Sequence, residues 1–166
     1  MITRIYTSYG PITIELVTGA CELTVGNFVR YVNDGFYDGT LFHRTVNNFI
    51  VQGGGFERGL IQKATRSPIR NESDGSQINK RGTFAMARLH GEPDSATSQF
   101  FINMNDNQSL NYHYSSSEDW GYCVFGKVTD GMRVVDRING IGTRTIGKHS
   151  DVPIEEIIIE RMELVH

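Results

Sequence analysis

Along much of this chain, apolar and polar residues alternate one by one, and that period is the strongest constraint on its fold. Successive side chains of a strand point to opposite faces, so a period of two marks strands buried on one side. Residues 2–6 and 12–16 alternate in this way and flank Ser8-Tyr9-Gly10-Pro11, a turn sequence, so they read as neighbouring antiparallel strands. The same reading places strands at 49–52, 83–87, 99–103, 121–128 and 157–164, with glycines and short polar clusters between them. Strands at this density predict a mainly β architecture, a sandwich or a barrel.

Two stretches break the alternation. Val25, Phe28, Val29 and Val32 fall at i, i+3, i+4 and i+7, which predicts a helix with Thr24 as N-cap and Gly35 as the C′ residue. A second helix is predicted over 132–138, with Val134, Val135 and Ile138 on one side and Asn139-Gly140 closing it. Both are short and amphipathic, as plugs for the ends of a barrel would be. Residues 53–81 carry little periodicity and read as a long ordered loop, a kind of segment often used for function. No repeat or composition break divides the chain, so one domain over 1–166 is expected.

Bulk properties exclude several classes of function. With 39% hydrophobic and 21% charged residues the composition is that of a globular protein. The net charge of −3 and pI near 5.9 argue against a nucleic-acid partner, and the basic residues between 63 and 70 read as a solvated face. No run approaches the roughly 20 apolar residues of a membrane span, and the N-terminus lacks a signal-type apolar region. Cys21 and Cys123 stand far apart without a CxxC pair, which argues against a disulfide framework and for a cytoplasmic location. Nothing suggests an assembly surface, so a monomer is expected.

Familiar catalytic patterns are missing. Gly53-Gly54-Gly55 lacks the Gly-Lys-Ser/Thr ending of a phosphate loop, which leaves close backbone approach or a bulge as its role. The five histidines lack metal-like spacing, and neither metal nor cofactor is expected. Cys123, between Tyr122 and Val124, reads as core. The serine cluster Tyr114-Ser115-Ser116-Ser117-Glu118 has no GxSxG elbow; a hydrolase built on a serine or Cys123 stays open, though nothing points to one.

Two other segments are more informative: Phe42-His43-Arg44, followed by Phe49-Ile50-Val51-Gln52-Gly53-Gly54-Gly55-Phe56, and Ser98-Gln99-Phe100-Phe101-Ile102-Asn103. Alternation puts Ile50 and Gln52 on one face and Phe49 and Val51 on the other, while Gln99 and Phe101 share a face. Val51, Phe100 and Ile102 read as core. Gln52 and Gln99 are amides among large apolar residues and need partners if buried, and Arg44 is the natural donor. One cation, two amides and an apolar surface suit a site that binds an uncharged, apolar group and rearranges its electrons without breaking a bond.

These segments resemble cyclophilins, the peptidyl-prolyl cis/trans isomerases. Arg81-Gly82-Thr83-Phe84-Ala85-Met86-Ala87-Arg88, Gly121-Tyr122-Cys123-Val124-Phe125-Gly126-Lys127-Val128 and Asn27-Phe28 in the first helix extend the likeness over essentially the whole chain, nearest to the small bacterial members. The resemblance implies a closed eight-stranded antiparallel β-barrel with a helix at each end. It also implies Arg44 as the active-site arginine with Gln52 beside it, and a proline pocket of Phe49, Ile50, Phe101 and Leu110. Ala87, Arg88, Gln99 and Tyr122 fall on neighbouring substrate contacts, and the partners would be proline-containing polypeptides. Phe49 and Ile50 are adjacent, so alternation alone would not bring both to one pocket.

The chain departs from the family pattern at four places. Ile50 stands where Met is frequent, and Tyr122 where a rim histidine is found in other members. Arg88 stands where Asn is common, which bears on the preference for the residue preceding proline. Ser109 replaces the Trp with which many eukaryotic members bind cyclosporin, so weak cyclosporin binding is expected. The alternative reading is a proline-peptide binding module or holdase whose turnover is incidental.

Overall fold

The computed structural model describes residues 1–113 and 120–166, so the serine cluster at 114–118 lies outside the described residues. Twelve strands and two helices are described, in the order β1 (Ile2–Thr7), β2 (Gly10–Leu16), α1 (Glu22–Asn33), β3 (Arg44–Val46), β4 (Ile50–Gly53), β5 (Phe56–Glu57), β6 (Ile61–Gln62), β7 (Thr83–Met86), β8 (Phe100–Asn103), β9 (Val124–Asp130), α2 (Met132–Asn139), β10 (Thr143–Ile146), β11 (His149–Pro153) and β12 (Ile159–Val165). Eight strands form one antiparallel sheet in the order β12-β1-β2-β9-β7-β8-β4-β3, while β5–β6 and β10–β11 are separate hairpins. Register shifts at Tyr6/Thr7, Thr13/Ile14 and Phe84/Ala85 are bulges that add local twist and help the sheet curl.

The expected closed barrel needs one correction. No ladder joins the two edge strands, β3 and β12, so the sheet is curled with a seam rather than continuous. β3 is three residues long, and β11 packs beside it. The chain just before β3 spans the seam instead. Gly39 N–H donates to Ile159 O (2.7 Å), Ile159 N–H to Thr40 O (2.8 Å) and Phe42 N–H to Ile157 O (2.9 Å).

Inside the curl, alternation is obeyed: Ile5, Ile12, Ile14 and Leu16 are fully buried. They meet an aromatic cluster of Phe28, Tyr37, Phe84, Phe100 and Phe125 whose neighbouring ring centroids lie 4.7–6.0 Å apart, mostly tilted or edge-on. α1 contributes Phe28, Tyr31 and Val32 to the core, and α2 contributes Val135 and Ile138.

The start of α1 also differs from expectation. Cys21, in a left-handed conformation (φ 55), occupies the N-cap position, and the helix already contains Thr24. The capping acceptor comes from the long loop: the Glu72 carboxylate takes the Thr24 N–H and the Thr24 hydroxyl, each at 2.6 Å. At the other end, Gly35 is the C′ residue with φ 66. Phe36 N–H reaches Tyr31 O and Gly35 N–H reaches Val32 O, both at 3.0 Å, and the Tyr31 and Phe36 rings pack at 4.7 Å.

The triple glycine is a close-approach element. A Cβ on Gly53 would sit 2.6 Å from Leu41 O, and one on Gly55 would sit 2.5 Å from Gln99 Cγ. The chain can pass both the seam segment and the Gln99 side chain only without side chains of its own. Residues 53–81 are otherwise ordered around β5–β6 and a 3₁₀ turn, Ser73–Gly75. Among the described residues, no helix is long and apolar enough to cross a membrane.

Candidate active site

The outer face of β4 and β8 carries a second apolar cluster, separate from the core. Ile50, Ala85, Ala87, Phe101 and Val124 are its buried members, and Val46, Phe49, Leu110 and Tyr122 pack on them while staying partly exposed. Residues between them along the chain (Val51, Phe100, Ile102, Phe84) face inward to the core. One strand pair therefore builds both the core and a partly exposed apolar cluster on the surface.

Phe49 and Ile50 both join this cluster because β4 begins at Ile50. Phe49 belongs to the preceding turn with Asn48, whose φ is 59, so strand alternation does not apply to it. That turn is held by Asn139 at the end of α2. Its side-chain NH2 donates to Thr45 Oγ1 (2.8 Å), Val46 O (3.0 Å) and Ile50 O (3.3 Å), and its Oδ1 accepts from Asn48 N–H (2.9 Å). The residue read from sequence as a helix stop is thus a buried clamp on the pocket turn.

The opposite wall is held by more amides. Asn107 donates to Phe49 O (2.9 Å) and Asn103 Oδ1 (2.8 Å), and Asn103 donates to Asn79 Oδ1 (3.0 Å). Asn79 in turn donates to Leu110 O (3.1 Å) and Tyr122 O (3.2 Å). Asn79, Asn103 and Asn107 are buried, and buried amides of this kind are costly unless satisfied, so the network fixes Phe49, Leu110 and Tyr122 in place. The rings of Phe101 and Tyr122 meet edge-on at 5.6 Å.

Polar groups line the rim. β3 and β4 pair with Arg44 opposite Gln52, and β4 and β8 pair with Gln52 opposite Phe101. The Arg44 guanidinium donates from Nη1 to Gln52 Oε1 (3.1 Å), and Gln52 Nε2 donates to Gln99 Oε1 (3.0 Å). The three side chains form one directed chain with the cation at its end. Asp151 was not anticipated from sequence: its Oδ2 lies 4.0 Å from Arg44 Nε, and its backbone is left-handed at φ 58. The side chains of this pair are 35% and 40% exposed, so the pair orients more than it stabilises. No sequence pattern links residues so far apart; β11 brings Asp151 alongside β3.

Ala87 and Arg88 continue the rim. Ala87 N–H donates to Gln99 O (2.9 Å). The Arg88 guanidinium lies over the Tyr122 ring at 4.5 Å and donates to Leu89 O (3.0 Å), Gly121 O (3.4 Å) and Trp120 O, so it braces the Tyr122 side of the rim. Next to this rim lies an open groove that includes Gln52, Gln99, Ala87, Arg88, Pro68 and Pro93.

Two residues considered for chemistry are otherwise engaged. His43 is 7% exposed, and burial, with the neighbouring His149 and Arg44, lowers its pKa to about 4, so it is neutral at ordinary pH. Cys123 is buried; the neighbouring Cys21 thiol and its burial raise its thiol pKa far above the ordinary range, so it is not a thiolate ready to attack a substrate.

An apolar cluster on a curled eight-stranded antiparallel sheet, with Arg44 bound to Gln52 and Gln52 to Gln99 at its rim, suits the binding of an apolar, uncharged group, and comparison with known proteins supplies the family. Residues 2–164 match the family model of cyclophilin-type peptidyl-prolyl cis-trans isomerase/CLD, and the chain belongs to that family. It is 52% identical over 155 residues to peptidyl-prolyl cis-trans isomerase B of Escherichia coli K12, covering 93% of this chain and 94% of that one. It is 46% identical over 159 residues to the isomerase cyp18 of Streptomyces antibioticus, covering 96% and 95%. Among solved structures, a cyclophilin-type isomerase of Cryptosporidium parvum, crystallised in the presence of the dipeptide Ala-Pro, matches with a TM-score of 0.79 and 27% identity over 100% of this chain and 99% of that one.

Proposed function

We propose that this protein is a peptidyl-prolyl cis/trans isomerase acting on proline-containing polypeptides, with Arg44 as its catalytic residue and residues 1–166 as a single domain. The observation that carries this reading is the Arg44-Gln52-Gln99 hydrogen-bonded chain at the rim of an apolar surface cluster that the core does not need.

An X-Pro bond rotates slowly because twisting it breaks amide resonance, against a barrier of about 20 kcal/mol. In the planar amide, the prolyl nitrogen lone pair is delocalised and accepts no hydrogen bond. In the twisted transition state it is localised and accepts one. Phe49, Ile50, Phe101 and Leu110 hold the pyrrolidine ring, Gln52 aims the guanidinium, and Arg44 donates to the nitrogen only when the amide is twisted. A contact made only in the transition state raises the rate, whereas one made equally in the ground state does not. A hundred-thousandfold acceleration needs about 7 kcal/mol. A charge-assisted hydrogen bond supplies about 1.5–3 kcal/mol of that. Binding of the twisted substrate in preference to the planar one contributes the rest.

Ala87, Arg88, Gln99 and Tyr122 contact the chain flanking the proline, and the short Ser109 side chain in place of an indole leaves cyclosporin weakly held. The protein acts as a cytoplasmic monomer, without metal or cofactor. A binding module would use the same cluster but would gain little from the oriented cation, which is why catalysis is favoured over a holdase role. NMR exchange spectroscopy on a short Ala-Pro peptide tests the choice: exchange between cis and trans resonances accelerated by catalytic amounts of protein supports the isomerase. Binding of the peptide without faster exchange would make the protein a receptor instead.

A further inference from the structure

The two cysteines, far apart in sequence, meet in the fold. Cys21 precedes α1 and Cys123 immediately precedes β9. The two thiols are close enough to perturb each other's titration. Each sulfur also touches the other's surroundings: Cys21 Sγ lies 3.6 Å from Val124 O, and Cys123 Sγ lies 3.6 Å from Thr24 Oγ1. Both are free and are 6% and 4% exposed. We propose that Cys21 and Cys123 are a redox-active dithiol that a peroxide converts to an intramolecular disulfide.

The two thiols have different characters, as such a pair requires. The neighbouring Cys123 thiol holds the Cys21 thiol below its ordinary range, with burial and the carboxylates of Glu72 and Asp74 opposing, and Cys21 sits at the amino end of α1, where the peptide dipoles favour an anion. Cys123 is the protonated partner, raised by the neighbouring Cys21 and by burial. Cys21 is therefore the attacking sulfur and Cys123 the resolving one.

The chemistry balances in two steps. The Cys21 thiolate attacks one oxygen of hydrogen peroxide, the O–O bond breaks, hydroxide leaves, and Cys21 becomes a sulfenic acid. The Cys123 sulfur then attacks Cys21 Sγ; the S–O bond breaks and the S–S bond forms. The departing oxygen leaves as water with the Cys123 proton. Two electrons pass from the sulfurs to the peroxide, and a small thiol reductant reverses the change by exchange.

The cross-link would tie the start of α1 to the pocket wall, since Tyr122 and Val124, on either side of Cys123, both belong to the pocket cluster. Met86 N–H, donated to Cys123 O (3.0 Å), anchors the same point to β7.

The test uses the native protein exposed to hydrogen peroxide, then unfolded and alkylated before mass spectrometry. The expected product has lost two hydrogens, takes up no alkylating agent, and yields a digest fragment joining the Cys21 and Cys123 peptides. Its thermal midpoint rises above that of the reduced form, because the bond closes a loop of roughly 100 residues in the unfolded chain. Recovery of both alkylated thiols, a gain of oxygen without loss of hydrogen, or a disulfide between two molecules would each overturn the proposal. Equilibration with mixtures of reduced and oxidised dithiothreitol is a second, variant-free measurement: the same bond must form reversibly, and its failure to form in any mixture would refute the pairing.

Discussion

Acidification should destabilise this protein through His43, and the size of the effect follows from its environment. The imidazole is almost fully buried among Phe56 (ring centroids 4.6 Å apart) and its neighbours, and its Nδ1 has no hydrogen-bond partner. Burial first, then His149 and Arg44, lower its pKa from 6.5 to about 4. In the unfolded chain the same imidazole takes up a proton near its ordinary value. A depressed folded pKa means that the unfolded state binds the proton first. Stability is therefore fully present above about pH 6.5 and is lost as the pH falls toward 4. Between about pH 7.5 and about pH 4.5 the linkage amounts to about 2.5 kcal/mol, a large share of a marginal folding free energy. Urea unfolding of wild type and His43→Phe at both pH values measures it. Carboxylates titrate in both proteins and cancel in the difference, so the variant should lose about 2.5 kcal/mol less than wild type. Equal losses in the two proteins would refute the neutral, buried imidazole.

Two further variants probe the rim. Gln52→Leu removes the acceptor at 3.1 Å that aims Arg44 and the donor to Gln99, so kcat/KM should fall by about 10- to 100-fold, mainly in kcat, with little change in thermal midpoint. An unchanged kcat would show that Arg44 needs no guide. Gly55→Ala places a methyl where Gln99 Cγ would be only 2.5 Å away, so the Gln99 side chain must leave its place and release Gln52. Activity should drop by about tenfold while circular dichroism stays that of wild type, and full activity would mean that the Gln52-Gln99 bond has no part in positioning.

Much of the architecture was legible because long alternating strands carry a strong period. β1, β2, β7, β8 and β12 lie where alternation placed them, and Val51, Phe100 and Ile102 face the core as read. β3, with three residues, and β5 and β6, with two each, are too short to show a period, and every residue of β10 is exposed, so no apolar face marks it. The N-cap of α1 was misplaced because the capping oxygen comes from Glu72, far along the chain, rather than from the local Thr24.

At the site, the trio of Arg44, Gln52 and Gln99 could be assembled by asking which cation satisfies two amides among apolar residues; Arg44 does donate to Gln52, but Gln99 is reached by the Gln52 amide rather than by the cation. Asp151 and the clamps Asn79, Asn107 and Asn139 were not legible. Each acts on a backbone or a guanidinium brought to it by topology, and a lone asparagine in sequence reads as a turn or a helix stop. The meeting of Cys21 and Cys123 was hidden for the same reason: spacing along the chain says nothing about which ends of the sheet face each other.

The central claim is that Arg44 acts on the twisted amide rather than on the bound peptide. NMR exchange and peptide affinity, measured side by side for wild type, Arg44→Lys and Arg44→Ala, test it most directly. The account predicts that catalysed exchange falls by about 100- to 1,000-fold in Arg44→Ala, with Arg44→Lys in between, while the Kd for the peptide changes by less than about threefold. Exchange that persists in Arg44→Ala while affinity collapses would contradict it and leave Arg44 as a binding residue.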